Sequence, residues 1–258
     1  MKIKPPAVAG SFYPLDPAEL RHNIEDYLAD NPCHHPAPKI LVVPHAGYIY
    51  SGPIAARGYN TLNPIRDLVD RVLLIGPNHR SPLNGIAGLS ADSFATPLGN
   101  IAIDRNTLNQ LAADQLIVED DSVHRYEHCL EVQLPFLQSV LCDFLLIPLV
   151  VGNSPPEQVA KVLRRCMDDR TLIVISCDLS HYHPYEEARR IDEHTSHLIV
   201  QRNHHLQGEQ ACGCRALNGA LLLAEQLNLQ VERLDLRNSG DTAGDHSRVV
   251  GYGCFSIH

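Results

Sequence analysis

Four short runs of apolar residues, each without a polar face, constrain the fold of this chain more than any other feature of its sequence. A strand that alternates apolar and polar residues can leave one face in water, whereas a strand that is apolar on both faces has to be covered on both. The four runs are Ile40–Val43, Val72–Ile75, Phe144–Val151 and Leu172–Ser176. They predict parallel strands with helices packed on both sides of the sheet.

Helical patterns separate or follow these runs, as parallel strands require. Asp16, Pro17 and Glu19 supply an N-cap, a first-turn proline and a capping-box acid, which predict a helix to about Ala29. A proline-rich connector (31–39) follows, and the segment 248–257 is predicted to be a final strand. Further helices are predicted at about Pro53–Leu62, Arg105–Ala113, Glu131–Leu141, Pro156–Met167, Tyr185–Arg202 and Arg215–Leu227. We expect a single domain over residues 1–258: an α/β protein, with a three-layer α/β/α sandwich around a largely parallel or mixed sheet.

Composition and charge exclude several classes of function. The formal net charge is −9, and Lys and Arg are scattered, which argues against a nucleic-acid partner. No apolar run approaches the length that a membrane span requires, and the first residues, MKIKPPAVAGSFYP, have no apolar signal region. We therefore expect a cytoplasmic protein whose eight cysteines are reduced thiols or metal ligands.

Polar residues follow three of the predicted strands at the point where each strand ends. His45 follows Ile40–Val43, His79 follows Val72–Ile75, and Asp178 and His181 follow Leu172–Ser176. Ligands in open α/β sheets bind beyond the carboxyl ends of the strands, so these side chains are predicted to meet in one crevice. Asp178 and His181 also fit the first turn of an ordinary helix, and a single histidine in a turn often has no chemical role.

Two further segments carry residues suited to chemistry. Cys212 directly precedes a predicted helix, where the helix dipole favours the thiolate that ligates a metal or attacks an electrophile. In "HRYEHCLEVQLPFLQ" (124–138), His128 is a candidate general base that Glu127 or Glu131 would orient. The two glutamates also fit the acidic first turn of a helix.

Motifs along nearly the whole chain resemble the Memo family in order and spacing. "PHAGYIYSG" (44–52) and "SCDLSHY" (176–182) are the most specific of them. The others are "AGSFYP" (9–14), "GPNHR" (76–80), "ATPLG" (95–99), "EHCLEVQLPFLQ" (127–138), "IPLVVG" (147–152) and "ACGCRALNGALLL" (211–223).

The resemblance implies a fold similar to that of the class III extradiol dioxygenases, which cleave catechol rings with non-haem Fe(II). It implies metal ligands at His45, His79 and Cys212, and further pocket residues at Asp178 and His181. Those dioxygenases complete a two-histidine site with a carboxylate, whereas a thiolate in that position is softer and favours copper(I) or zinc. Eukaryotic members of the family are linked to cell motility and redox signalling. Bacterial and archaeal members are grouped with AMMECR-type and radical-SAM proteins, which the resemblance implies as partners.

The sequence thus predicts Fe(II), with copper or zinc as alternatives, and a small aromatic diol as substrate. His181 or His128 would act as acid/base, Asp178 would orient His181, and Tyr48 or Tyr50 would wall the pocket. Two other functions remain open at this point: a zinc-dependent hydrolase that uses the same ligands to activate water, and a non-enzymatic metal- or peptide-binding protein.

Overall fold

A computed structural model describes residues 1–33 and 35–258 of the chain, so that residue 34 of the predicted connector lies outside the described residues. The helices are α1 (Pro17–Asp30), α2 (Tyr48–Tyr59), α3 (Arg105–Ala113), α4 (Asp121–His124), α5 (Leu134–Val140), α6 (Pro156–Cys166), α7 (Tyr185–Val200) and α8 (Cys214–Gln226). Short 3₁₀ helices span Asn60–Ile65, Glu131–Gln133 and Ser239–Asp241. The strands are β1 (Ile3–Lys4), β2 (Ile40–Val43), β3 (Arg71–Pro77), β4 (Ile86–Gly88), β5 (Ser93–Thr96), β6 (Gly99–Ala102), β7 (Val118–Glu119), β8 (Leu145–Val151), β9 (Thr171–Ser176), β10 (His181–His183), β11 (Val231–Asn238) and β12 (Val249–Ile257).

The four runs that are apolar on both faces form the centre of the main sheet. Its order is β10-β12-β2-β9-β3-β8-β4-β7, with β11 paired to β12. The neighbours β2, β9, β3 and β8 are mutually parallel, which confirms the prediction for these strands. Because β12 is antiparallel to β2 and β4 is antiparallel to β8, the sheet as a whole is mixed. A smaller sheet contains β1, β5 and β6.

Helices cover this sheet as the apolar strands require, and the fold is the three-layer α/β/α sandwich that the sequence predicts. Helices α6 and α8 pack against each other, and α8 contacts β3 and β9, while α2 contacts β2 and β12. Every residue of β2 and β9 is buried. None of the described helices is both long and apolar enough to cross a membrane.

Several local features of the structure differ from the predictions. Helix α2 begins at Tyr48 rather than at Pro53, because Pro53 is accommodated inside the helix instead of starting it. Strand β11 was not predicted, since its charged residues conceal it until it pairs with β12. His181 begins a short strand, β10, so the alternative of a helix start at Asp178–His181 is wrong.

Candidate metal centre

Three histidine side chains meet beyond the carboxyl ends of the central strands. His45 follows β2, His79 follows β3, and His128 lies on the loop between α4 and α5. One ligand atom from each lies within 4.8 Å of the other two, and the ring centroids are 4.9 to 5.4 Å apart. Imidazoles gathered this closely form a candidate site for a single metal ion.

The orientation of His45 is fixed by the strand next to its own. Its Nδ1 lies 2.9 Å from Oγ of Ser176, the last residue of β9. That hydroxyl donates its proton to the carbonyl of Cys129 and accepts a hydrogen bond from the side-chain amide of Gln133. Ser176 is therefore the acceptor for His45, which places the imidazole proton on Nδ1. Nε2 is left with a free lone pair, as metal ligation requires.

His79 is held by a buried carboxylate. Glu127, whose side chain is 1% exposed, accepts hydrogen bonds from Nδ1 of His79 at 2.9 Å and from its backbone amide at 2.7 Å. Burial opposes the charge on His79, but contacts with Cys212 and Glu127 outweigh it and raise the pKa of the imidazole to about 10. Burial would raise the pKa of Glu127, yet the imidazoles of His128 and His79 hold that pKa well below its usual range. A metal ion at His79 therefore has to displace a proton.

His128 lies beside His79 and approaches the same oxygen of Glu127. Its ring stacks on that of His79 with an interplanar angle of 26°, and Phe12 packs 4.8 Å from it. Its Nδ1 lies 3.2 Å from Oε1 of Glu127 but lacks hydrogen-bond geometry, so this buried nitrogen has no hydrogen-bond partner among the described residues. Its roles as acid/base or as metal ligand both remain predictions.

Cys212 adjoins the three histidines. Its Sγ lies 3.4 Å from Nε2 of His45 and accepts the amide N–H of Asp178 at 3.3 Å. The expectation that the helix dipole would favour its thiolate is wrong for the metal-free protein. Burial, together with the neighbouring thiol of Cys177, raises the pKa of Cys212 to about 12. Helix α8 begins only at Cys214, and the environment of the thiol is too dry for the dipole to dominate.

Asp178 and His181 both line the pocket, but in different positions. Asp178, 4% exposed, accepts the backbone N–H of His45 at 2.7 Å, and its other oxygen lies 3.9 Å from Nε2 of that histidine. The described contacts of Asp178 therefore orient His45, whereas the sequence suggested that it would orient His181. His181 stands on β10 at the pocket wall, where no strong partner fixes its ring among the described residues.

The pocket above the histidines has a volume of about 530 Å³ and aromatic walls. Tyr50 lines it, as one of the two expected tyrosines, whereas Tyr48 is buried and donates its hydroxyl to the carbonyl of Val132. Sequence reasoning missed the other lining residues that come from distant segments: Phe12, Tyr182, Arg248 and Tyr252. The "AGSFYP" and "SCDLSHY" motifs contain Phe12 and Tyr182, and the predicted strand 248–257 contains Arg248 and Tyr252, but nothing in the sequence placed these residues at the pocket.

Behind the pocket, Asp192 gives the fold a dependence on pH. Its Oδ1 accepts the N–H of Ser180, while its Oδ2 is buried without a partner among the described residues. Burial, partly offset by Ser180, raises the pKa of this carboxyl from 3.8 to about 6. A raised acid pKa means that the folded state prefers the protonated form. This contribution to stability is full below about pH 4 and is lost as the pH rises through about 6.

We expect Asp192→Asn to stabilise the protein at neutral pH and to change little in acid. The amide keeps the acceptor for Ser180 and carries no charge to bury. The gain in unfolding free energy should be on the order of 2 kcal/mol at about pH 7.5 and near zero at about pH 4. Urea denaturation of both proteins at both pH values measures this gain in unfolding free energy. An equal difference at the two pH values would contradict the assignment.

The fold and the site define a three-layer α/β/α protein with a histidine cluster that can hold a metal ion at the base of a pocket. The chain belongs to the Memo family, since the family model described as "Memo-like protein" matches residues 4–256. It is 36% identical to a MEMO1 family protein of Aquifex aeolicus, with 98% of each chain covered. It is 34% identical to a MEMO1 family protein of Saccharolobus solfataricus and 32% identical to one of Metallosphaera sedula, with 96% of each chain covered in both comparisons.

Proposed function

We propose that this protein binds Fe(II) at the histidine cluster and oxidises a small aromatic diol in the pocket above it. The observation that carries the proposal is the convergence of His45, His79 and His128, with ligand atoms within 4.8 Å of one another, at the base of an aromatic-walled pocket. Imidazole ligands suit iron, copper and zinc. Cys212 is the proposed further ligand, in contact with Nε2 of His45.

The donor set fits a resident metal ion on three grounds. Ser176 leaves Nε2 of His45 unprotonated, and Glu127 holds His79 by its other nitrogen, as outer partners of metal ligands do. The third imidazole, His128, likewise turns Nδ1 toward Glu127, at 3.2 Å from Oε1. When bound, the metal would supply Lewis-acid and redox chemistry.

The protein's own residues would perform the remaining steps. The rings of Phe12, Tyr50 and Tyr252 line the pocket and would hold a flat aromatic substrate while excluding water. A volume of about 530 Å³ suits a small ligand. His181 projects from the wall and would take a proton from a substrate hydroxyl, which is the role of a general base. Asp178 would keep His45 in place through its backbone amide.

Metal analysis combined with oxygen uptake tests this function. Protein purified without chelator is expected to contain about one iron per chain by plasma mass spectrometry, and to consume oxygen with at least one member of a catechol panel. His181→Ala should retain the metal and lower the turnover by about 10²- to 10⁴-fold, the usual contribution of a positioned acid/base.

The other outcomes identify the alternatives. Zinc without oxygen uptake would favour a hydrolase that activates water. Stoichiometric metal with no turnover on any substrate of the panel would favour a metal- or peptide-binding protein. A chain that binds none of the three metals would refute the proposal altogether.

A further inference from the structure

A tyrosine with a strained backbone stands at the mouth of the histidine pocket. Tyr182 has a φ angle of +64°, in the left-handed region that a bulky side chain rarely adopts. It is 62% exposed, although it lines the pocket beside its neighbour His181. Backbone strain persists only where the surrounding structure enforces it, and it is concentrated at active sites and ligand sites. Strain at this point therefore indicates a role for Tyr182 in what the pocket binds.

A bulge between two strands produces this conformation. His181 and His183 pair with the consecutive residues 250 and 249 of β12, so Tyr182 is the extra residue of β10. Bulges redirect side chains and are frequent next to active sites. The redirected ring of Tyr182 lies beside Arg248, which directly precedes β12 and also lines the pocket.

Arg248 places a permanent cation at the mouth of the pocket. Its guanidinium carbon lies 5.0 Å from the ring centroid of Tyr182, within the range of a cation–π contact. The guanidinium makes no ion pair and no side-chain hydrogen bond with any described residue. The ring thus holds the guanidinium without engaging its N–H donors, which remain available to a ligand. Among the described residues, Arg248 is the one Lys or Arg that lines this pocket.

Two carboxylates also line the pocket, and both have partners of their own. Asp178 is buried and accepts the backbone N–H of His45. Asp245 is exposed, and its Oδ1 accepts the amide and the hydroxyl of Ser247 at 2.7 and 2.6 Å, within its own loop. Neither carboxylate forms an ion pair with Arg248 in the described structure. The guanidinium is therefore left for a molecule that enters the pocket.

We infer that Arg248 is a specificity-determining residue, which selects an aromatic diol that carries a carboxylate. The inference rests on the function proposed above, in which the diol reaches the buried histidines. A guanidinium binds a carboxylate through two parallel, charge-assisted hydrogen bonds, and its flat fork matches the plane of a benzoate. Tyr182 is then a positioning residue that keeps the guanidinium over the pocket. The exposed mouth is also where a charged group loses least hydration, whereas His45 at the base is 1% exposed.

Binding calorimetry under nitrogen tests this inference, because the exclusion of oxygen prevents turnover. The probes are 3,4-dihydroxybenzoate and its neutral isostere 3,4-dihydroxybenzamide, which has the same ring and the same two hydroxyl groups. Protein purified without chelator is expected to bind the benzoate about fivefold more tightly, the effect of a charged pair that is open to solvent. Arg248→Gln should lower this ratio to about one, because glutamine is polar but carries no charge.

Arg125→Gln is the matched control. Arg125 is also exposed and lies 5.1 Å from the ring centroid of Tyr126, but it does not line the histidine pocket, so the ratio should stay at its wild-type value. The role of Tyr182 is tested by two further variants. Tyr182→Leu removes the ring and should lower the ratio, whereas Tyr182→Phe keeps the ring and should restore it.

The remaining outcomes separate this inference from the proposed function. Equal Kd values for the two probes, or no binding of the benzoate, would overturn the inference. A preference that survives Arg248→Gln would also overturn it, because the carboxylate would then bind elsewhere, and equal losses in Arg125→Gln and Arg248→Gln would reduce the preference to net charge. Oxygen uptake with neutral catechols and no preference would leave the proposed function standing alone. A preference that depends on Arg248, without oxygen uptake by the iron-loaded protein, would support the ligand class and refute the oxidation.

Discussion

His79→Ala is expected to lower the affinity for the metal ion by at least about 100-fold, beyond the tenfold to 100-fold typical of losing an outer partner of a ligand. His79 is one of the three imidazoles whose ligand atoms lie within 4.8 Å of one another. Its Nδ1 is engaged by Glu127, which leaves Nε2 for the ion. Titration of chelator-treated protein with Fe(II) and Zn²⁺, followed by calorimetry, measures the change.

Two variants make this measurement decisive. His22→Ala removes a histidine that is 73% exposed on α1, and it should leave the affinity unchanged. His181→Ala should also retain the metal, because His181 stands at the pocket wall outside the group of three. If His181→Ala loses the metal as severely as His79→Ala does, then His181 is a ligand. A closed structural or storage site would then be more consistent with the result than a catalytic site with an open position.

His79→Ala should also lower the stability of the protein, which the sequence did not suggest. A histidine that follows a strand makes few packing contacts, and its loss is ordinarily worth less than about 0.5 kcal/mol. His79, however, pairs with Glu127, whose side chain is 1% exposed. Leaving that buried carboxylate without its charged donor should lower the free energy of unfolding by about 1–3 kcal/mol. Glutamine at position 79 can still donate to Glu127, and this variant should recover part of the stability without the metal affinity.

The central fold was predictable because the central strands are apolar at consecutive positions, which indicates burial on both faces. Leu41 and Val42 of β2 point to opposite faces of the sheet and both are buried, because helices cover the sheet on both sides. Strand β11 shows the limit of the same reasoning. Arg233, Asp235 and Arg237 lie within it, and only pairing with the apolar strand β12 makes the segment a strand. The charged residues give the segment no apolar pattern of its own, so a local pattern does not show the strand.

Some residues of the candidate site were predictable from the sequence and others were not. His45 and His79 were predictable, because each follows a recognisable strand and parallel strands bring their ends together. The position of Glu127 beneath His79 was not, since it depends on the path of a loop 48 residues further along the chain. The acidity of Cys212 was predicted in the wrong direction because a sequence shows a helix start but not burial, and burial dominates the pKa of that thiol.

Glu131→Ala is expected to have the largest effect on stability of the variants considered, about 3–5 kcal/mol, the usual cost of removing one member of a buried ion pair. The sequence suggested that Glu131 would orient His128, but the structure assigns that carboxylate to the N-terminal segment. Glu131 is 0% exposed and accepts the backbone amides of Ala7 and Val8 at 2.6 and 2.9 Å. It also accepts the hydroxyl of Tyr13 at 2.7 Å and lies 3.8 Å from Nζ of Lys4, which is 6% exposed.

The loss should be large because alanine would take the acceptor from the buried amide of Val8 and the buried hydroxyl of Tyr13, and would remove the carboxylate that pairs with the buried ammonium of Lys4. Glu131→Gln keeps an acceptor oxygen in place and should cost less than Glu131→Ala, while Glu225→Ala, which removes an exposed carboxylate, should cost little. Urea denaturation gives the free energies. Hydrogen exchange of Glu131→Ala should show residues 5–14 losing protection first. This segment includes Phe12, which packs 4.8 Å from His128. A Glu131→Ala protein as stable as the Glu225→Ala control, with residues 5–14 still protected, would show that this segment is held by its apolar contacts alone.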